Sequence, residues 1–181
     1  MFFLFMPEFL KHPAVKFLLT GGVLYGIWLL IYYFFIKVYT DWDYYLDLNI
    51  VWFSHQFLDI LGVQTVIEID SDHVILMMEK TVNTGVWVGD ECNGFKLFSI
   101  FSIFIIAFPG RVKDKLWFIP LGMIAIHLAN IIRVISLLLI YESYPTSLDF
   151  NHLYTFTIFV YSIIFIFWWW WAKKYGRVSK N

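Results

Sequence analysis

Gly89-Asp90-Glu91-Cys92-Asn93-Gly94-Phe95-Lys96 holds the only cysteine in 181 residues, at the seam between a polar segment and a long apolar one. Asp90-Glu91 before the cysteine and Asn93-Gly94 after it predict a turn into a helix that begins at a membrane surface. A sole cysteine forms no internal disulfide, so packing, reactivity and chance are the readings left open. The positive end of a helix, with Lys96 four residues on, favours thiolate over thiol. Against this stands the ordinary fate of a free cysteine, a small buried hydrophobe without chemistry.

The composition decides the class. Sixty per cent hydrophobic and 22% aromatic residues lie far outside the soluble range and predict an α-helical integral membrane protein of one domain, residues 1–181. A basic start, short apolar run and small-residue cleavage site are missing, so the first long apolar segment is expected to stay as an anchor, with Met1 to Met6 an interfacial lead-in. Nothing resembles a basic patch interleaved with aromatics, which argues against nucleic acid as a partner. One cysteine and scattered histidines provide no metal-ligand spacing, and no cofactor is expected.

Four spans are predicted, at about 17–36, 93–109, 116–141 and 153–172. The first, Phe17 to Ile36, has no charge; its 20 residues at 1.5 Å rise reach roughly 30 Å, the thickness of the hydrocarbon core. Asp41 to Gly62 mixes carboxylates with aromatics and reads as an amphipathic helix along the membrane surface. Val63 to Val88 alternates, with turn signals at Ser71-Asp72 and Asn83-Thr84-Gly85, and predicts two or three short antiparallel strands. Pro109-Gly110-Arg111 ends the second span, and Trp168 to Trp171 closes the fourth at an interface. With four spans, Lys11, Lys16, Arg111, Lys113, Lys115, Lys173, Lys174, Arg177 and Lys180 fall on one side, which the positive-inside rule makes cytoplasmic. Residues 37–92 and 142–152 then lie outside.

This topology brings three groups to one face. Cys92 heads the second span and His152 the fourth, both at the outer surface. Arg133 lies eight residues before Tyr141, about 12 Å below it, and its long side chain can snorkel upward. An intramembrane arginine is a functional hypothesis by default, set against a structural ion pair with Glu142 or Glu91. His152 is weighed against a plain interfacial histidine. His127 lies deeper and is read as hydrogen-bonding across helices. Asn130, one turn below Arg133, reads as an orienting partner for the guanidinium or a packing amide.

Cys92-Asn93-Gly94-Phe95-Lys96 resembles the Cys-Ser-Gly-apolar-basic motif of the exosortase and archaeosortase family, and Asn130 with Arg133 resembles its Asn-x-x-Arg helix. His152, at the head of the next apolar run, matches the third position. The resemblance covers about Trp87 to Trp170. It implies a multi-pass cysteine protease or transpeptidase of the bacterial cytoplasmic membrane, with its site on the extracytoplasmic face. Such an enzyme cleaves secreted proteins near a C-terminal sorting signal (short motif, transmembrane helix, basic tail) and transfers them to a surface acceptor. Cys92, Arg133 and His152 would be catalytic, with Asn130, Asn93, Gly94 and Lys96 in support and membrane lipid around them. Four spans instead of the eight of many members match a short form such as the F-type exosortases and raise the expectation of a partner membrane subunit. Asn93 stands where the family has serine. Two other classes compete on the residues alone: a non-enzymatic scaffold or transporter subunit with Arg133 in an ion pair, and a thiol redox carrier, which lacks a second cysteine.

Overall fold

Pro13 has no N–H to leave unsatisfied, and His12 Nδ1 accepts from the Ala14 N–H at 3.3 Å, so the first helix starts at no hydrogen-bonding cost. This helix, α1, runs Pro13–Tyr39 with a π turn over Tyr32–Ile36. Its one buried residue is Tyr32, at 0% exposure; leucines, valines and phenylalanines along the rest face outward. The computed structural model describes residues 12–70, 73–80, 85–89 and 92–176. Expectations placed on Met1 to Met6, Lys11, Ser71-Asp72, Asn83-Thr84, Asp90-Glu91, Arg177 and Lys180 lie outside these residues.

Helix α2, Trp42–Ile60, is the predicted amphipathic element. Ile50, Val51, Ser54 and Leu58 are buried on one face, whereas Trp52, Phe53, Phe57 and Ile60 are exposed on the other. A helix apolar on its outward face as well as its inward one suits the boundary of a bilayer. Gly62, at φ 77°, turns the chain into a three-stranded antiparallel sheet: β1 Thr65–Asp70, β2 His73–Met78 and β3 Gly85–Val88, in the order β1-β2-β3. Thr65 pairs with Met78 and Ile75 with Trp87. That register sends Val74, Leu76, Met78, Val86 and Val88 inward to pack with Ile50, Leu58, Ile135 and Leu138 in one core cluster.

Helix α3, Phe95–Ala107, has 13 residues and reaches about 20 Å, well short of a hydrocarbon core. Its bounds have local causes. Phe108 is extended because Pro109 follows, and Gly94 takes a left-handed φ of 82° at the start. Lys115 Nζ donates to the Ile106 carbonyl at 2.7 Å, satisfying an acceptor at the helix end. Helix α4, Val112–Ser143, contains 32 residues and is the mast of the fold. Its buried positions, Phe118, Gly122, Ile126, Ala129, Asn130, Arg133, Val134, Leu137 and Leu138, recur every three or four residues; α2, α3, the sheet and the last helix all pack against it. Helix α5 spans Pro145–Lys174 with a π turn over Asn151–Thr155.

Three helices, α1, α4 and α5, are thus long and apolar enough to cross a membrane, with α3 a shorter apolar fourth. The chain is a helical membrane protein with a small sheet. All three long helices outrun the apolar windows that announce them; α5 begins at Pro145, before the window at 153, because it continues through the polar residues Asp149 and Asn151. The four tryptophans lie in the last turns of α5, just before Lys173 and Lys174. Four consecutive helical residues point to four faces, so Trp169 is exposed while Trp171 is fully buried, with its ring 4.9 Å from Phe118.

A second cluster, built on Phe98, Phe101, Ile105, Phe118, Ile126 and Ile164, locks α3 to α4 and α5. A Cβ at Gly122 would overlap the Phe101 ring. Gly122→Val should therefore lower the melting temperature of the purified protein in detergent, at a cost of about 1–3 kcal/mol from overpacking. An unchanged melting curve would contradict this packing.

Candidate active site

The turn Cys92-Asn93-Gly94 is held from several sides. The Cys92 N–H donates to the Gly89 carbonyl at 2.7 Å, and the Asn93 N–H shares that carbonyl at 3.2 Å. Asn93, at 0% exposure, accepts the Phe95 N–H on its Oδ1 at 2.9 Å, capping α3, and donates from Nδ2 to Asp43 Oδ1 at 2.8 Å. Gly94 lies directly against Asn130: a Cβ there would overlap the Asn130 amide nitrogen. With φ positive as well, the position admits no ordinary side chain. Asn130 is fully buried, and neither end of its amide finds a hydrogen-bond partner among the described residues. It thus acts as a shim beneath the turn, which is nearer to a packing amide than to a partner of the guanidinium.

The thiol and the imidazole meet. Cys92 Sγ lies 3.3 Å from His152 Nε2, across two elements 60 residues apart in sequence. His152 occupies the π turn of α5, where the wider turn displaces it from regular helical register. Its backbone carbonyl accepts from Thr157 Oγ1 at 3.3 Å and from Arg133 Nη2 at 3.5 Å. Arg133 is only 7% exposed and stands behind His152, with its Nε unpartnered among the described residues. Of the two carboxylates considered for it, Glu142 makes no ion pair with it among the described residues, and Glu91 lies outside them.

Cys92 and His152 open into a cavity of about 590 Å³ whose wall also includes Lys37, Asp47, His73 and Lys96. Cys92 itself is only 8% exposed. Lys96 sits on this wall with its ammonium 5.8 Å from the Tyr32 ring centroid. The site is recessed. Arg133 has ten residues of α4 beyond it to Ser143, about 15 Å of helix, and the sheet and α2 pack around that extension.

His127 lies apart from the pair, and its contacts across helices are with aromatic rings. Its ring lies among aromatics, 6.3 Å from Phe53 and 6.5 Å from Phe98, in an apolar groove away from Cys92. Two contributors escaped the sequence reading altogether. Asp43 bridges Asn93 to Tyr32, whose hydroxyl donates to Asp43 Oδ2 at 2.9 Å. Tyr32 stands in the aromatic run Tyr32-Tyr33-Phe34-Phe35, of which it alone is buried.

The structure thus sets a recessed cysteine–histidine pair, Cys92 before the short helix α3 and His152 in the long helix α5, within a helical membrane protein. The profile of the transmembrane exosortases matches residues 14–169, and the chain belongs to that family. As a family, the exosortases are associated with sorting-related proteolysis and transpeptidation at the membrane. No curated protein and no solved structure shows significant similarity to it.

Gly94→Ala should disrupt the pair, through both the φ strain and the collision with Asn130. Adding Asn130→Ala should recover only the steric share. Alkylation of Cys92, the only thiol, should report this as a pH profile moved toward that of free cysteine, midpoint about 8.5, in the single variant and partly restored in the double. A wild-type profile in Gly94→Ala would show that the turn does not set the pair.

Proposed function

We propose that the protein is a membrane-embedded cysteine protease or transpeptidase in which Cys92 is the nucleophile, His152 the general base and acid, and Arg133 the fixed cation of the site. The observation that carries the reading is the 3.3 Å approach of Cys92 Sγ to His152 Nε2 at the wall of a cavity. His152 takes the thiol proton on Nε2, and the thiolate attacks the scissile carbonyl carbon to give a tetrahedral oxyanion. The oxyanion collapses, the carbon–nitrogen bond breaks, and the imidazolium returns the proton to the departing amine. An acyl thioester on Cys92 remains. His152 then deprotonates water, or an amine or hydroxyl of an acceptor, whose attack breaks the thioester and releases the thiol.

Arg133 stabilises the oxyanion through a permanent charge in a low-dielectric surround, and it holds the His152 carbonyl from behind. Asn130, Asn93 and Gly94 fix the turn, and Lys96 favours negative charge at the sulfur. The substrate is a secreted protein with a C-terminal sorting signal, delivered by its own apolar helix. The sheet end of the bundle faces outward, in accord with the basic residues Lys16, Arg111, Lys113, Lys115, Lys173 and Lys174 at the other end. A bacterial cytoplasmic membrane and a partner membrane subunit that completes the substrate groove belong to the same proposal.

Processing of a reporter bearing such a signal, followed in membranes, tests it. Cys92→Ala should abolish processing. His152→Ala should lower the rate by about 10²-fold or more, the range of general acid–base catalysis. Arg133→Ala should cost about 10²-fold, and Arg133→Lys should fail almost as badly, because an ammonium lacks the planar multi-donor geometry. Normal processing by Cys92→Ala would overturn the nucleophile assignment, and full activity of Arg133→Lys would reduce Arg133 to bulk charge.

A further inference from the structure

Helix α1 touches the rest of the molecule chiefly through small residues and aromatic edges, yet it buries one side chain completely. Tyr32 has its ring stacked on Trp28 at 5.2 Å and tilted against Phe95 at 5.8 Å, and its hydroxyl reaches Asp43 on α2. Asp43 uses one carboxylate oxygen for Tyr32, at 2.9 Å, and the other for Asn93 Nδ2, at 2.8 Å. Asn93 in turn uses its amide oxygen for the Phe95 N–H. Donor and acceptor alternate along the whole series: hydroxyl to carboxylate, amide to carboxylate, backbone N–H to amide oxygen. The side chain of the residue next to Cys92 thus bonds α2 and α3 directly and α1 through Asp43.

None of these atoms points into the cavity that holds Cys92 and His152; Tyr32, Asp43 and Asn93 are not part of its wall. The chain of bonds acts on the turn instead. Cys92 follows Asn93 in whatever orientation the amide plane imposes, and the 3.3 Å approach to His152 tolerates little rotation of that turn. Serine, with one short hydroxyl, could not reach Asp43 and the Phe95 N–H together in the way a planar amide does.

We infer that Tyr32, Asp43 and Asn93 form a buried positioning relay that ties the nucleophile turn to helices α1 and α2, with Asn93 as the residue that converts the position of α1 into the orientation of Cys92. The proposal deepens the protease reading, and only its turnover arm rests on that reading.

The order of donors makes a swap decisive. Asn93→Asp places two carboxylates at hydrogen-bond distance, which cannot both remain charged without repulsion. Adding Asp43→Asn restores the series: the new amide at 43 donates to the carboxylate at 93 and still accepts from Tyr32, while the other oxygen at 93 still accepts from Phe95. The net charge of the double variant is that of the wild type. Full-length protein in nanodiscs is titrated with a maleimide at Cys92, and reporter processing is measured alongside. Asn93→Asp should move the alkylation midpoint toward free cysteine and lower kcat by about tenfold or more, with KM little changed, the scale of a buried polar pair left unmatched. Asp43→Asn/Asn93→Asp should return both to within about threefold of the wild type. Tyr32→Phe, which removes one oxygen without changing charge, should give a several-fold fall in kcat and a smaller move of the midpoint in the same direction.

A double variant no better than Asn93→Asp overturns the relay, as do wild-type profiles for both Asn93→Asp and Tyr32→Phe. If Asn93→Asp does not fold, Tyr32→Phe decides alone: an unmoved midpoint overturns the proposal and a moved one supports it. The expected alkylation pattern in a protein that processes no reporter supports the relay while counting against the protease reading.

Discussion

The contact of Gly94 with the Asn130 amide fixes the depth at which the second apolar segment can begin. Because Gly94 presses on α4 at that level and Pro109 ends the segment below, α3 has room for only 13 residues. A helix of about 20 Å beside neighbours of 27 to 32 residues leaves its first turn sunk among them instead of standing at their ends. The cysteine at the head of that turn is therefore recessed. The remaining length of α4, together with α2 and the sheet, builds a wall above it.

A recess of this kind has electrostatic consequences. Charges on its wall are poorly screened, so the fields of Lys37 and Lys96 carry further than those of the same residues at an open surface. It also restricts water to the cavity, which matters for a thioester that must outlive the departure of its leaving group if an acceptor is to capture it. α2 turns an apolar face outward as well, through Trp52, Phe53, Phe57 and Ile60, which suits an element at the boundary of a bilayer.

Much of this was legible in the residues. Hydropathy located the long helices, alternation located the sheet, and the motif around Cys92 together with Asn130, Arg133 and His152 indicated the family. What stayed hidden depends on register and on helix ends. Hydropathy cannot see a helix continue through Asp149 and Asn151, so His152 was read as the head of a helix when it lies on a π turn within one. The run of four tryptophans marks the end of a span without saying which of them the helical period turns inward, as it does Trp171. Tyr32 and Asp43 carry no motif at all. A tyrosine within Tyr32-Tyr33-Phe34-Phe35 has no sequence signal that separates it from its neighbours, and the packing of its ring on Trp28 and Phe95 makes the distinction.

Most of the chemistry attributed to the site follows from one covalent event, acylation of Cys92. Mass spectrometry of the purified wild-type protein, quenched in acid during turnover of a sorting-signal substrate, observes it directly. The account predicts an adduct on the peptide that contains Cys92, with the mass of the upstream substrate fragment, released by neutral hydroxylamine and accumulating further when acceptor and water attack are slowed. Substrate cleavage that proceeds at full rate with Cys92 unmodified throughout would contradict it.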